Sequence, residues 1–401
     1  MSHPVFRIVA LPVLLWAVVL GIVRVAIAPS ELCGDGSPEE FRDTALDAAD
    51  WLSVNQRADG SYVYEYDRDA DEMPNAYNVV RHAGVTMSLY QTAGRLGDER
   101  AFEAAEVGTG WLLDNMVYRD DWGGPTDGNN IKVGSAALMT IALAERRLMT
   151  GAPVHDDVMR ALGNFMLAQQ QENGGFYTKW FVETETMDRI STSAYYPGEA
   201  LWALAMLHEA FPGEGWDTAA WATADFVTLL RDDVEDVEYP PLNDHWAAYG
   251  LAEMAEWGLA DHHTDYARRL AARFSLFIRF EAQKTDDGVN LMIRGDSRRS
   301  SALGTWVEGM AALWRLSMSD ERLGDISHEI LEQARCGSDL LAQRQAPEDE
   351  PPLEAGAWFI HGVTRMDDQQ HAISGLIYTA DGIEGRLRRE PDHPQRGPST
   401  P

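Results

Sequence analysis

The sequence predicts an all-α protein in which six helical hairpins close into a ring, preceded by one apolar N-terminal helix. Two kinds of helical pattern alternate six times at a spacing of roughly 50 to 60 residues, which is typical of a repeat architecture. One kind is amphipathic and the other is apolar on nearly every side, which indicates an outer and an inner layer. A single long apolar run precedes these repeats.

The apolar run at residues 8–23 continues past Arg24 and is long enough to cross a bilayer, although it also fits the core of a signal peptide. A basic residue precedes it and acidic residues follow from Glu31 onward, which favours export of the remainder to the extracytoplasmic side. Two small residues resemble a cleavage site, but Pro29 directly after them is expected to hinder processing. We therefore predict a membrane or signal anchor over residues 1–29, with cleavage and secretion as the alternative.

The outer helices are predicted from apolar residues at i, i+3 and i+4 spacing with charged residues between them. The inner helices have middles that are apolar all round, as in residues 200–207, so they must be buried on most faces. The predicted outer helices cover residues 41–56, 101–115, 156–171, 218–231, 266–280 and 326–343. The predicted inner helices cover residues 78–93, 132–148, 198–210, 244–257, 304–316 and 368–378.

Three connections from an outer to an inner helix begin with Gln and end with Gly, at residues 56–60, 170–174 and 283–288. The Gly is expected to end the outer helix and to start a turn. Because it has six pairs of an outer and an inner helix, the chain resembles the (α/α)6 toroid superfamilies. These include six-hairpin glycosidases, polysaccharide lyases, sugar 2-epimerases and terpene cyclases. The Gln-to-Gly pattern is loosely similar to the repeat of terpene cyclases and protein prenyltransferases. This resemblance covers about 350 residues and is architectural.

The toroid domain is predicted to span residues 30–385, and residues 386–401 are interpreted as a disordered tail because they are rich in Arg and Pro without an apolar period. Residues 285–301 are interpreted as a loop near the inner-helix starts. Cys33 and Cys336 are too few to form a disulfide framework that holds the fold together, and whether they form one disulfide stays open.

The formal net charge of −31 excludes nucleic acid as a partner, because phosphate binding needs basic patches. No phosphate loop or dinucleotide fingerprint is present, so no cofactor is predicted. Metal binding by His245 with Asp244, or by His371 with Asp367 and Asp368, matches no familiar ligand spacing, and no metal is predicted.

Polar residues collect at the starts of the inner helices, which in a toroid all lie at one end and line a funnel. Burying acids, imidazoles and Arg there would be costly unless the funnel is wet or the groups are paired. Flat aromatic rings stack on sugar faces, and Asn, Asp and His bind hydroxyl groups, so a glycan substrate is predicted. The predicted substrate-binding residues are Asn78, Arg81, His82, Tyr195, Tyr196, Asn243, Trp246, Trp306, Arg365 and Asp368.

Glycoside hydrolysis needs two carboxylates, one as general acid and one as nucleophile or base. Glu308 is the first candidate acid, Asp244 or Asp367 is the candidate base, and Glu199 is also available. These residues favour a glycoside hydrolase that acts outside the cytoplasm.

Two alternatives stay open. Proton transfer at carbon, as in sugar epimerases and uronate lyases, favours His near neutral pH. His245 and His371 resemble in placement the paired acid/base histidines of the N-acylglucosamine 2-epimerase family, although Ala248 stands where that family's motif carries Glu. A glycan-binding toroid without catalysis is the other alternative. Terpene cyclisation is disfavoured because the starts of the inner helices are rich in Asn, His and Arg.

Overall fold

The computed structural model describes residues 3–236, 244–285, 288–295 and 301–386. Its chain order begins with α1 (His3–Ile22) and continues in hairpins of an outer and an inner helix. The helices are α2 (Pro38–Val54) and α3 (Val79–Leu96), α4 (Glu99–Asp114) and α5 (Val133–Thr150), α6 (Asp156–Gln169) and α7 (Tyr196–Ala210), α8 (Trp216–Asp225), α9 (Arg231–Glu235) and α10 (His245–Glu253), α11 (Asp261–Ala282), α12 (Gly288–Arg294) and α13 (Ser301–Ser319), and α14 (Ser327–Arg344) and α15 (Met366–Ile383).

The six inner helices form a closed ring. Each of α3, α5, α7, α10 and α13 packs against the next inner helix, and α15 contacts both α13 and α3. The middles of these helices are buried on all sides, as the run from Ala200 to Leu207 in α7 illustrates. Removing this apolar surface from water drives the closure. The predicted (α/α)6 toroid is therefore confirmed.

Two of the three Gln-to-Gly connections tie an outer helix to the next one. Gln56 donates to the carbonyl of Ala104 in α4 over 3.0 Å, and Gln170 donates to that of Ala219 in α8 over the same distance. Gly174 has φ +88° and packs directly against the α8 backbone. Gln345 makes the corresponding bond across the ring junction, from the end of α14 to the carbonyl of Thr44 in α2 over 2.8 Å. This junction was not recognised in the sequence.

Short antiparallel strands lie in the connections at the end of the toroid where the inner helices start. We call this end the funnel face. β1 (Glu65–Asp67) pairs with β7 (Val363–Arg365) and joins the first connection to the last. The others are β2 (Met116–Arg119) with β3 (Trp122–Pro125), and β4 (Asn130–Lys132) with β5 (Lys179–Phe181), which also pairs with β6 (Thr186–Met187). The sequence analysis did not predict these strands.

The fourth hairpin departs from the predicted boundaries. Its outer helix is interrupted by a π-helical turn at Phe226–Leu230, and the predicted inner helix over 244–257 ends at Glu253 before a 3-10 turn. The interpretation of 285–301 as a loop was wrong in part, because α12 occupies Gly288–Arg294. The predicted tail, except Arg386, lies outside the described residues.

The N-terminal helix contains a segment, Val9–Ile27, that is long and apolar enough to cross a membrane and is not buried in the toroid. After it, Cys33 forms a disulfide with Cys336 of α14. Leu32 also donates its backbone N–H to the carbonyl of Ala282 over 2.8 Å. The segment that follows the apolar helix is thus fixed to two outer helices.

Gly174→Ala is expected to lower the free energy of unfolding by roughly 3 kcal/mol, combining a positive φ that costs an L-residue about 1–2 kcal/mol with overpacking that costs about 1–3 kcal/mol. A Cβ atom at this position would lie 2.0 Å from the carbonyl oxygen of Ala222. Denaturant unfolding followed by Trp fluorescence measures the change.

Gly213→Ala is the matched control, because Gly213 has φ +84° and no atom within 4 Å of an added Cβ. It should show only the smaller conformational cost. An equal loss of stability in both variants would contradict the role of Gly174 in packing the connection against α8.

Candidate functional site

A cavity of about 430 Å³ opens at the funnel face, between the starts of the inner helices. All six inner hairpins contribute residues to it, although α5 offers only Leu138. The chemically active side chains come from the first turns of the others because helices that run in one direction bring their N-terminal ends together. The polar and aromatic lining residues include Asn78, Arg81, Ser193, Tyr195, Tyr196, Glu199, His245, Trp246, Thr305, Arg365, Asp367, Gln370 and His371.

Two imidazoles of the cavity wall meet on one buried carboxylate. His371 Nδ1 forms a hydrogen bond of 2.7 Å with Glu308 Oε1, and His245 Nε2 lies 3.0 Å from the same oxygen. The two imidazole rings are nearly perpendicular, with centroids 5.1 Å apart. Glu308 itself is fully buried in α13 and is not part of the cavity wall. We call these three residues the His–Glu–His cluster.

The cluster is held by aromatic residues. Tyr249 lies one turn after His245 on α10, and its hydroxyl donates to Glu308 Oε2 over 3.5 Å. The Tyr249 ring stacks on Trp202 of α7, with centroids 4.2 Å apart. Trp246 lies against both imidazoles, 4.3 Å from the His245 ring and 5.7 Å from that of His371. These contacts fix the orientation of both rings.

Burial sets the protonation of the cluster. Burial, with the neighbouring His245 and Arg81, lowers the pKa of His371 well below its ordinary value. Burial also raises the pKa of Glu308 well above its usual range, and the hydrogen bond from Tyr249 opposes that shift. At neutral pH the His371 imidazole is therefore neutral and able to accept a proton.

Glu199 is a second unusual carboxyl group. It lines the cavity from the first turn of α7 and is only 3% exposed. Among the described residues its Oε2 atom has no hydrogen-bond partner, and burial raises its pKa to about 8. Gly134 of α5 makes room for it, since a Cβ atom there would lie 2.3 Å from Oε2. Glu199 thus holds a proton at neutral pH and is able to donate it.

A guanidinium group and a carboxylate face each other on the other side of the cavity. Arg81 Nε lies 3.3 Å from Asp367 Oδ2, and Arg81 also donates to the hydroxyl of Tyr64. Burial raises the pKa of Asp367 above its ordinary value, and the nearby Arg81 only partly offsets this shift. Arg365 donates to Glu65 Oε2 over 2.5 Å, across the β1–β7 pair. These groups surround the cavity with both signs of charge.

Several predicted site residues lie outside the cavity wall. Asp244 forms a fully buried ion pair with Arg231. Trp306 stacks on Phe277, with centroids 4.9 Å apart, and Asp368 accepts the backbone N–H of Arg365 as a helix cap. Asn243 lies outside the described residues.

His82 is buried and linked to the backbone rather than to the cavity. Its Nε2 donates to the carbonyl of Gly108 over 2.9 Å, which leaves Nδ1 to accept from the Tyr77 hydroxyl at 2.6 Å. Its ring stacks on Trp111, and burial lowers its pKa to about 3. His82 therefore packs in the core and does not line the cavity. By contrast, Asn78 both caps α3 and reaches the cavity.

The predicted substrate-binding set leaves out Gln370 and Thr305, which line the cavity, and Tyr249, which lies behind it. A signal for Gln370 and Tyr249 was present, because positions i+3 and i+4 share a helix face with i. Gln370 follows Asp367 by three residues, and Tyr249 follows His245 by four. Tyr64 is brought beneath Arg81 by the first connection, which local spacing does not reveal.

Three groups of side chains among the described residues have the composition of a metal site. In one of them, Glu31 with Cys33 and Cys336, both sulfur atoms are already joined in the disulfide, which leaves two groups with free ligand atoms. The ligand atoms of the His–Glu–His cluster lie within 4.8 Å of one another, as do those of Asp225, His262 and His263. In the second group His263 Nδ1 accepts the backbone N–H of Ala260, so Nε2 carries the ring proton that points to Asp225. That tautomer opposes metal binding through Nε2. The pairs considered from sequence alone do not form these groups.

Glu199→Gln is expected to change how stability depends on pH. A carboxyl group whose pKa is raised on folding stabilises the fold below its unfolded pKa, and this contribution is lost as pH rises to about 8. The variant should therefore match the wild type below a pH of about 4.5 and exceed it at pH 8 by on the order of a few kcal/mol. Unfolding curves between these pH values measure the difference.

Glu103→Gln, on the exposed side of α4, is the control for the loss of one negative charge. A constant difference between Glu199→Gln and the wild type over this pH range would contradict a carboxyl group held protonated in the cavity.

No protein-family model and no curated protein matches the chain. Solved structures of low identity do match. An unsaturated glucuronyl hydrolase specific for heparin superposes with a TM-score of 0.60 at 11% identity, over 88% of this chain and 100% of the other. The cellobiose 2-epimerase of Spirochaeta thermophila gives 0.59 at 13% identity, over 86% and 98%. A D-mannose isomerase gives 0.59 at 11%, over 86% and 97%. At this identity the likeness shows the (α/α)6 toroid fold that these enzymes of different activities share.

Proposed function

We propose that this chain is a membrane-anchored, extracytoplasmic enzyme that moves a proton at a sugar carbon, as an epimerase or isomerase does. The observation that carries the proposal is the His–Glu–His cluster, in which two cavity-lining imidazoles share one buried carboxylate. Inverting a carbon centre requires one group that removes a proton and another that returns one. His371 and His245 have this chemistry near neutral pH.

The reaction begins with the open-chain form of a sugar whose carbonyl carbon is next to the reacting carbon. One imidazole takes the proton from that carbon, and the C–H electrons pass into an enediolate. The other imidazole, which begins the reaction protonated, returns its proton to the opposite face of the same carbon, which gives the epimer. Return of the proton to the neighbouring carbon gives the isomer instead. Proton and charge balance in both outcomes, and no cofactor is consumed.

The remaining lining residues fit this reaction. The Arg81 guanidinium faces the cavity and would stabilise the negative oxygen of the enediolate. The protonated Glu199 would donate to the ring oxygen as the sugar opens. Tyr195, Tyr196 and Trp246 offer rings for stacking on a saccharide.

Glu308 is better suited to positioning than to direct proton donation. A glycosidase acid must touch the glycosidic oxygen, whereas Glu308 lies beneath both imidazoles and is fully buried. In this position it would hold the ring tautomers and share a proton with the histidines.

A glycoside hydrolase is the second candidate, and it rests on a different observation. Among the described residues, Glu199 and Asp367 are the two that bring carboxyl groups to the cavity wall, and burial keeps Glu199 protonated to about pH 8. One would protonate the leaving oxygen while the other activates water or attacks the sugar. The likeness to an unsaturated glucuronyl hydrolase agrees with this chemistry as well as with the fold.

The anchor and its orientation belong to the same proposal. The helix segment Val9–Ile27 has a mean hydropathy of 2.4 and is unburied. Basic residue Arg7 precedes it and acidic residues follow, which favours export of the toroid. The disulfide between Cys33 and Cys336 supports an oxidising, extracytoplasmic location.

Incubation with reducing mono- and disaccharides in deuterium oxide is expected to place deuterium at the carbon beside the carbonyl and to yield an epimer or ketose. His371→Asn and His245→Asn should each lower this exchange by at least about 10²-fold, because each removes an acid/base group. Mass spectrometry and NMR of the sugar report both products and isotope position.

Glu308→Gln separates positioning from packing in the same assay. It should lower kcat with little change in KM and shift the acid limb of the pH profile, because the imidazoles lose their shared carboxylate. Thr305→Ser, in the same cavity wall, is the control. Release of new reducing ends without deuterium uptake would favour the hydrolase, provided that the Glu199→Gln variant no longer releases them. Tight glycan binding without either product would indicate a binding protein.

Protease treatment of cells with an intact cytoplasmic membrane is expected to digest the toroid while a cytoplasmic marker protein survives. The reason is the proposed orientation, with the N terminus inside and residues after the anchor outside. Immunoblotting against the toroid measures the loss. Digestion only after lysis would contradict the extracytoplasmic location.

A further inference from the structure

The apolar N-terminal helix joins the toroid at the funnel face. Outer and inner helices run in opposite directions, so the ends of the outer helices lie beside the starts of the inner ones. α11 ends at Ala282, whose carbonyl accepts the backbone N–H of Leu32. The chain therefore leaves the apolar helix at the same end of the toroid at which the cavity opens.

Almost no linker separates the apolar helix from the toroid. The carbonyl of Ile27, the last residue of the apolar segment, accepts from Asn290 Nδ2 at 3.1 Å and from Arg294 Nε at 2.9 Å. The Arg24 side chain reaches forward past the end of the apolar segment and donates to the carbonyls of Ala28 and Pro29 over 2.7 and 2.6 Å. A guanidinium group that reaches toward the helix end is typical of the membrane–water boundary.

Around this junction the surface is apolar. Met292 and Ile293 of α12 are 78% and 53% exposed, and Val289 lies on the same side of that helix. Leu276 and Phe280 are one turn apart on α11 and are 63% and 43% exposed. We call these five residues the rim patch.

The rim patch is continuous with the apolar helix through Arg294. The Arg294 guanidinium donates to the carbonyl of Phe280 over 2.8 Å and lies over the Phe280 ring at 4.3 Å, while it also binds Ile27. Its hydrogen-bond acceptors in the described part of the chain are neutral oxygens, so it brings a positive charge to this junction of an otherwise strongly acidic protein. Apolar side chains beside a cationic group suit the headgroup region of a bilayer.

We propose that the rim patch is a membrane-docking surface that enters the bilayer interface beside the N-terminal helix and holds the funnel face at the level of the lipid headgroups. The partner is the lipid bilayer in which the helix is anchored, so this inference rests on the anchor of the proposed function. It implies that the cavity receives saccharide from the layer next to the membrane.

Fluorescence quenching in the full-length protein tests the proposal. Both native cysteines form the disulfide, so Met292→Cys adds one thiol for an environment-sensitive fluorophore. Val154→Cys is the matched control, because Val154 is 63% exposed and lies between α5 and α6 at the end opposite the funnel face. Leu15→Cys, in the middle of α1, reports whether the anchor is inserted.

The proteins are reconstituted in vesicles of phosphatidylcholine and phosphatidylglycerol that carry spin-labelled lipids. A spin label near the top of the acyl chain is expected to remove at least about half of the emission at position 292, as for a side chain in the interface, and almost none at position 154. A label at the acyl-chain centre should quench position 15.

If the anchor position 15 is quenched but the rim-patch position 292 is quenched no more than the control position 154, the docking surface is overturned and the anchor stands. No quenching at position 15 would overturn the anchor and, with it, the docking surface. The deuterium-exchange assay reads the catalytic part of the proposed function independently of both results.

Discussion

Closure of the inner ring is the constraint on which the rest of the molecule depends. The last inner helix, α15, must pack against the first, α3, although nearly the whole domain separates them in sequence. The β1–β7 pair and the bond from Gln345 to Thr44 join the same two ends of the chain. A ring that failed to close would expose the apolar flanks of its terminal helices, so the closing contacts stabilise all six hairpins together. Closure also brings α3 and α15 side by side, and it is their contact that assembles Arg81 with Asp367.

The cavity and its floor bring together ionisable groups, each of which would be costly to bury alone in the surrounding apolar core. An isolated buried carboxylate is strongly disfavoured, and three solutions occur here within a few helical turns. Glu308 lies against two imidazoles, Asp367 faces Arg81, and Glu199 keeps its proton. Three carboxyl groups of similar chemistry therefore lie in three different surroundings. Environment, rather than residue type, therefore sets the role of each group.

Outside the fourth hairpin, the predicted outer and inner helices agree with the structure because both patterns are local and depend on burial alone. Prediction was weaker where geometry between hairpins decides the outcome. Glu308 follows Trp306 in a helix start, so the sequence favoured a side chain in the funnel. In the structure it lies beneath the imidazoles of α10 and α15. The rotation of α13 against its two neighbours decides between these positions, and that rotation depends on packing contacts far apart in sequence.

His82 and Asp244 illustrate the same point, since each occupies a helix start and yet is committed to a buried partner, Gly108 or Arg231. What the sequence by itself determined is the set of six amphipathic and apolar helix pairs, the apolar N-terminal segment and the end of the ring at which polar groups collect. These features follow from hydrophobic period and burial. Only the tertiary structure decided which of those groups meet, because contacts between His245, Glu308 and His371 arise from three different hairpins whose relative rotation no local pattern encodes.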